Sequence, residues 1–164
     1  ATPGGTLVAR RFTMSVLGFF HTGVGFAALF LGTLVIYQPK GTPRHRLLGR
    51  LFAMAMLLLN VTALMIYNLF GTFGPFHMAA LASLATLLLG LWPAWRRAPG
   101  WVHRHQFYMS WSYVGLLAAT AAEVTSRVPG WDFFWSVTLT VAAVVIAGGS
   151  LIGWRPQVVG RSAA

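Results

Sequence analysis

Apolar residues gather into five long runs, separated by short segments in which glycine, proline and arginine concentrate. The runs cover residues 12–37, 48–69, 73–92, 105–125 and 133–154. Each reaches the roughly 20 residues that an α-helix needs to cross about 30 Å of hydrocarbon. The breaks carry their own chemistry. Gln38, Pro39, Lys40, Gly41, Thr42 and Pro43 end the first run, and Thr42-Pro43 is a good helix start: a hydroxyl that can cap, then a proline whose missing N–H costs nothing at that position. Gly71-Thr72-Phe73-Gly74-Pro75 makes a tight turn, Pro93 with Pro99 and Gly100 interrupts the chain after Trp92, and Val128-Pro129-Gly130 precedes the last run. The pattern predicts an all-α, multi-pass membrane bundle of about five helices, forming one domain over 1–164. The first run is too long for a cleavable secretion signal and reads as a permanent helix.

Composition agrees. Of 164 residues, 57% are hydrophobic and 9% charged, outside the range of ordinary soluble domains, so the lipid bilayer is the expected partner. The net charge of +10 does not point to nucleic acid, because the basic residues lie between apolar runs and not along one polar face. With five spans the connectors alternate between two sides. One side carries Arg10, Arg11 and Arg127; the other carries Lys40, Arg44, Arg46, Arg50, Arg96, Arg97, Arg104, Arg155 and Arg161. The positive-inside rule places the second group in the cytoplasm, with the amino terminus outside and the carboxy terminus inside, as for a multi-pass protein of a bacterial inner membrane. Trp92, Trp95, Trp101, Trp131 and Trp154 fall near predicted span ends, where amphipathic rings favour the headgroup region.

Ionisable groups within membrane spans are costly and mark function by default. His21 lies about 15 Å inside the first span and His77 about one turn inside the third, both towards the outer side. His45 opens the second span and His105 the fourth, both on the basic side. On the fourth span His105, Met109, Ser112, Leu116 and Glu123 share one face, which is expected to look inward. Glu123 also has Arg127 at helical spacing for an ion pair. His21, Gly25, Ala28 and Gly32 form a histidine above a groove of small residues, suited to close helix approach or to a flat ligand, and Asn60 and Asn68 add polar groups to the second span. His103, two residues from His105, projects elsewhere and reads as a solvated residue.

The order Phe20-His21-Thr22-Gly23, Lys40-Gly41, His45-Arg46-Leu47-Leu48-Gly49-Arg50, Phe73-Gly74-Pro75-Phe76-His77, His105 with Met109, and Glu123 with Arg127 resembles a bacterial family of predicted membrane proteins catalogued as a domain of unknown function. The resemblance covers roughly residues 17–128 and implies that His21, His45, His77 and His105 belong to one pattern. It implies no activity.

No cysteine is present, which removes disulfides, thiolate metal sites and thioether-attached haem. Neutral imidazoles bind haem iron well, and haem b needs no covalent link, so the leading expectation is a b-type cytochrome in electron transfer. His21 with His77 would hold one haem and His45 with His105 a second. Arg44, Arg46, Arg50 and Arg104 would pair with propionates, and Phe20, Phe76 and Phe107 would insulate the rings. The histidine layout is similar in outline to that of ascorbate-reducible cytochrome b proteins, and a lipid quinone is a reasonable redox partner. Another reading gathers His21, His77 and Glu123 around a single zinc, copper or iron ion, as in catalytic sites with two histidines and a carboxylate. Others make the chain a proton-relay or transport protein, or an accessory subunit of a larger membrane complex without chemistry of its own. For the histidines individually, interhelical hydrogen bonding, or solvation in the case of His45, is the plain structural alternative.

Overall fold

The computed structural model describes residues 16–67 and 71–154, the side chain of Trp154 excepted; residues 12–15 and Asn68 therefore lie outside the described residues. Five helices follow one another: α1 (Val16–Tyr37), α2 (Pro43–Met65), α3 (Pro75–Arg96), α4 (Trp101–Thr125) and α5 (Phe133–Trp154). No strand occurs among the described residues.

Local chemistry sets the helix ends. Thr42 Oγ1 accepts the His45 amide at 3.2 Å and Pro43 takes the first helical position, so α2 starts five residues before the apolar run does. At the far end of α2 the chain turns extended at Ile66. The break expected at Pro93 lies later. α3 runs through Pro93 and stops where Arg97 adopts a left-handed conformation. Pro93 removes a single N–H, the one that would bond the Leu89 carbonyl, and only three residues of helix follow it, so a kink there has little helix left to misdirect. α4 begins at Trp101, one turn before the expected start, after Gly100 turns the chain with φ 70°.

α1 packs on α2, α2 on α3 and α3 on α4; α1 also touches α4, which closes a ring of four helices, and α5 packs along α4, with Phe133 at its start meeting Phe76 of α3 edge to face. Ala28, Phe52, Met56, Leu87 and Leu116 form the centre of the ring. Asn60, Thr62, His77 and Ser112 are also buried, whereas Phe19, Phe26, Phe30, Met54, Leu88, Leu139 and Ile146 are exposed. An apolar shell this extensive, around an interior that holds the polar groups, suits lipid and not water. Trp92, Trp95 and Trp131 are exposed near helix ends, as an interfacial belt requires.

Among the described helices, α1, α2, α3 and α5 are long and apolar enough to cross a membrane, and α4 is not. Its polar groups are satisfied sideways: Ser112 Oγ bonds Thr86 Oγ1 at 3.3 Å, Tyr113 Oη bonds Thr33 Oγ1 at 2.6 Å, and His105 bonds the Gly90 carbonyl. Such bonds let a polar helix sit inside a lipid-facing bundle. The groove of small residues on α1 is filled by neighbours. A Cβ on Gly32 would lie 2.5 Å from the Tyr113 ring and 2.9 Å from Phe52, and one on Gly25 would lie 3.5 Å from Leu59. Close helix approach, and not a flat ligand, occupies that stripe.

Candidate functional site: four histidines on two levels

Contacts between neighbouring helices fix their register. His21 meets Thr62, and Gly32 meets Phe52, across α1 and α2; Gly90 meets Met109, and Thr86 meets Ser112, across α3 and α4; Thr33 meets Tyr113 across α1 and α4. Carried round the ring, these pairs set His105 level with about residue 44 of α2, beside His45. They set His77 level with about residue 24 of α1, roughly 4–5 Å along the axis from His21. The two levels stand about 24 Å apart on α3, with the apolar centre between them. Within each level the two histidines sit on helices that face each other diagonally across the ring.

At the basic end, His105 Nδ1 lies 2.9 Å from the Gly90 carbonyl. A carbonyl only accepts, so this ring carries its proton on Nδ1 and keeps a lone pair on Nε2. Gly90 makes the approach feasible, because a Cβ there would lie 2.9 Å from Met109 Sδ. His45 Nδ1 is buried without a hydrogen-bond partner among the described residues. The register places this ring beside His105.

At the other end, His21 Nδ1 lies 2.8 Å from Thr62 Oγ1. Thr62 spends its own proton on the Leu58 and Leu59 carbonyls of its helix, at 2.8 and 3.0 Å. The histidine is therefore the donor and keeps a lone pair on Nε2. His77 is set the opposite way. The Gly74 amide donates to His77 Nδ1 at 3.1 Å, which leaves the ring proton on Nε2. That Nε2 is buried with no hydrogen-bond partner among the described residues. Phe73 stacks on the ring at 4.9 Å and Tyr67 lies against it at 4.5 Å between centroids. No direct contact joins His21 to His77; each is held by other groups.

Glu123 does not follow the expectation that its face looks inward. It is about half exposed and pairs with the equally exposed Arg127. The register explains this: Glu123 stands level with the first residue of α3, so no neighbouring turn covers it. Glu123 is among the charged groups near His21, but among the described residues no three histidine or carboxylate side chains assemble as a metal-binding group. His21, His77 and Glu123 are thus not gathered for a single ion, because Thr62, Gly74 and Arg127 hold them separately. Arg44 and Arg46 are exposed at the start of α2, their side chains without a hydrogen-bond partner among the described residues, and Arg104 donates to the Pro99 carbonyl at 2.6 Å. Asn60 turns back on its own helix, donating to the Met56 carbonyl at 2.8 Å. His103 is exposed and projects away from His105.

Thr62 and Gly90 were not legible as partners of histidines. The one sequence signal for Thr62 is a lone hydroxyl near the outer end of the second run, at the depth of His21 on the first.

No curated protein and no solved structure gives a significant match to the chain. The family model described as "Predicted membrane protein (DUF2306)" matches residues 18–158, which include His21, His45, His77 and His105 and reach beyond the 17–128 of the resemblance to take in all of α5. This chain belongs to that family of membrane proteins.

Proposed function

We propose that the protein is a b-type cytochrome-like electron carrier of the bacterial inner membrane, with one haem held at each level of the ring. The observation that carries the reading is that His21, His77 and His105 are each oriented through Nδ1 while, among the described residues, no hydrogen-bond partner claims Nε2. His45 Nδ1 and His77 Nε2 are buried in that condition. Metal-binding histidines are commonly oriented in this way, with the distal N–H given to a backbone carbonyl or hydroxyl, as His105 gives to Gly90 and His21 to Thr62. Haem would supply one-electron chemistry between ferrous and ferric iron. His45 and His105 would hold it at the basic end and His21 and His77 at the other. Arg44 and Arg46, whose side chains are exposed and uncommitted, suit the propionates at the basic end.

The fit differs between the two levels. At the basic end His105 already has the tautomer that a ligand needs. His77 does not, because the Gly74 amide occupies Nδ1; ligation through Nε2 requires the ring proton to move to Nδ1 and the first turn of α3 to give up that bond. The single-ion reading has less support, since its three side chains are not gathered. The accessory-subunit reading explains neither of the buried nitrogens.

Absorption spectroscopy tests the proposal. Protein purified from cells supplied with haem precursor is expected to show a Soret band and, after reduction, a sharp alpha band. The double variant His45→Ala/His105→Ala should lose about half the haem per chain. A colourless preparation from haem-replete cells, helical by circular dichroism, would overturn it.

A further inference from the structure

α1 and α5 flank the same face of α4 without touching each other among the described residues. A cleft of about 200 Å³ opens between them near the basic end, lined by Ile36 of α1, by His103, Gln106, Ser110 and Tyr113 of α4, and by Leu151 of α5 among others. Its walls are fixed by close packing on either side. A Cβ on Gly148 would lie 2.6 Å from Val114, and one on Gly32 would lie 2.5 Å from Tyr113, so neither α5 nor α1 can shift towards α4 to close the gap.

The floor is unusual for a groove that faces lipid. Among the described residues no hydrogen-bond partner meets the side chains of Gln106 and Ser110, or that of His103 at the mouth. Thr33, Thr62, Thr120 and Thr125 all return their hydroxyl protons to their own helix, but Ser110 does not. Both side chains are half-buried and open to the cleft, and Ser110 leaves its hydroxyl available there where it could have returned the proton to its own helix. The arrangement fits a ligand that brings hydrogen-bond acceptors. Ser110 sits about 6 Å deeper than Gln106 along the helix, with its donor on the same side. Phe107 and Tyr113 line the cleft with aromatic surface that suits a planar ring, and Tyr113 already gives its proton to Thr33, because Thr33 spends its own on Leu29. Leu117, Leu151 and Ile152 continue the cleft as an apolar track. Its volume is below the roughly 300–1,000 Å³ of sites that enclose a drug-sized ligand, so it admits one ring while a tail runs on into lipid.

We infer that this cleft binds a lipid-soluble, single-ring dicarbonyl compound of the quinone class, with Gln106 and Ser110 donating to its oxygens. The cleft lies on the side of α4 away from His105, about one helix diameter or roughly 10 Å across. Binding itself does not depend on the haem reading.

The full chain in lipid nanodiscs, titrated with decylubiquinone by saturation-transfer NMR, is the test. Saturable binding is expected. Gln106→Leu/Ser110→Ala should weaken it about tenfold or more, as expected for losing two buried hydrogen bonds. Decylbenzene, of similar shape but without carbonyls, should bind at least about tenfold more weakly than the quinone. Absent saturation, equal affinity in the double variant, or equal binding of decylbenzene would each overturn the inference. The last result would mean that the cleft holds any apolar molecule. The measurement does not read haem colour, so this proposal and the cytochrome proposal fail separately.

Discussion

Replacing Gly32 by alanine probes the contact that holds α1 against α4, the seam that closes the ring. The added methyl would sit 2.5 and 2.6 Å from two atoms of the Tyr113 ring and 2.9 Å from Phe52. All three contacts are shorter than van der Waals packing allows, and the two rings stand against each other with centroids 6.4 Å apart, so neither can retreat alone. Overpacking a filled core costs about 1–3 kcal/mol, and the crowding places this site at the upper end. Displacing Tyr113 also weakens its bond to Thr33, worth about 0.6 kcal/mol for a typical interhelical bond in a membrane protein. Against this, alanine is favoured over glycine inside a helix by about 1 kcal/mol. The net expectation is a loss of about 2–3 kcal/mol. Gly23, on the same helix, has open space around its Cβ and serves as the control. Gly23→Ala should be neutral or stabilising. Unfolding of both variants in mixed micelles, followed by circular dichroism, measures the difference. In a Tyr113→Ala background most of the Gly32→Ala penalty should vanish, because the obstructing ring is gone. Equal stability of Gly32→Ala and Gly23→Ala would refute the close approach of α1 and α4.

Under the cytochrome proposal, haem added to apoprotein in less than stoichiometric amount should fill the basic end first, because His105 already carries its proton on Nδ1 whereas His77 does not. Titration followed at the Soret band should then lose its first phase in His105→Ala and keep it in His77→Ala, and the reverse order would refute the tautomer argument. Thr42→Ala removes the hydroxyl that caps α2 at the His45 amide and should cost about 1 kcal/mol in the same unfolding assay. Glu123→Gln breaks an ion pair exposed on both sides; it should change stability by less than about 1 kcal/mol and leave haem content unchanged. A large loss of haem in that variant would restore Glu123 to the site.

Much of the architecture was written in the chain. Apolar runs of membrane length, Thr42-Pro43 at the start of α2 and the glycine turns identify five helices, because each signal acts within a few residues of itself. Pro93 misled for the same reason: proline chemistry is local, but its effect depends on its place in the helix, and one turn from the end it was tolerated. Glu123 misled differently. Helical phase put it on the same face as His105, yet a face is buried only as far as a neighbour runs beside it, and α3 begins at the level of Glu123.

The sequence by itself determined that the chain lives in lipid, that His21, His45, His77 and His105 fall on four different helices, and that these lie at two depths, since length, hydropathy and helical rise need no knowledge of partners. Only the tertiary structure decided what each imidazole does. The proton on His105 is placed by a carbonyl on α3, the proton on His21 by a hydroxyl on α2, and the proton on His77 by the amide of Gly74. Tautomer, pairing and the cleft beside α5 all depend on which helices touch and in what register, a choice made by packing between residues far apart in the chain.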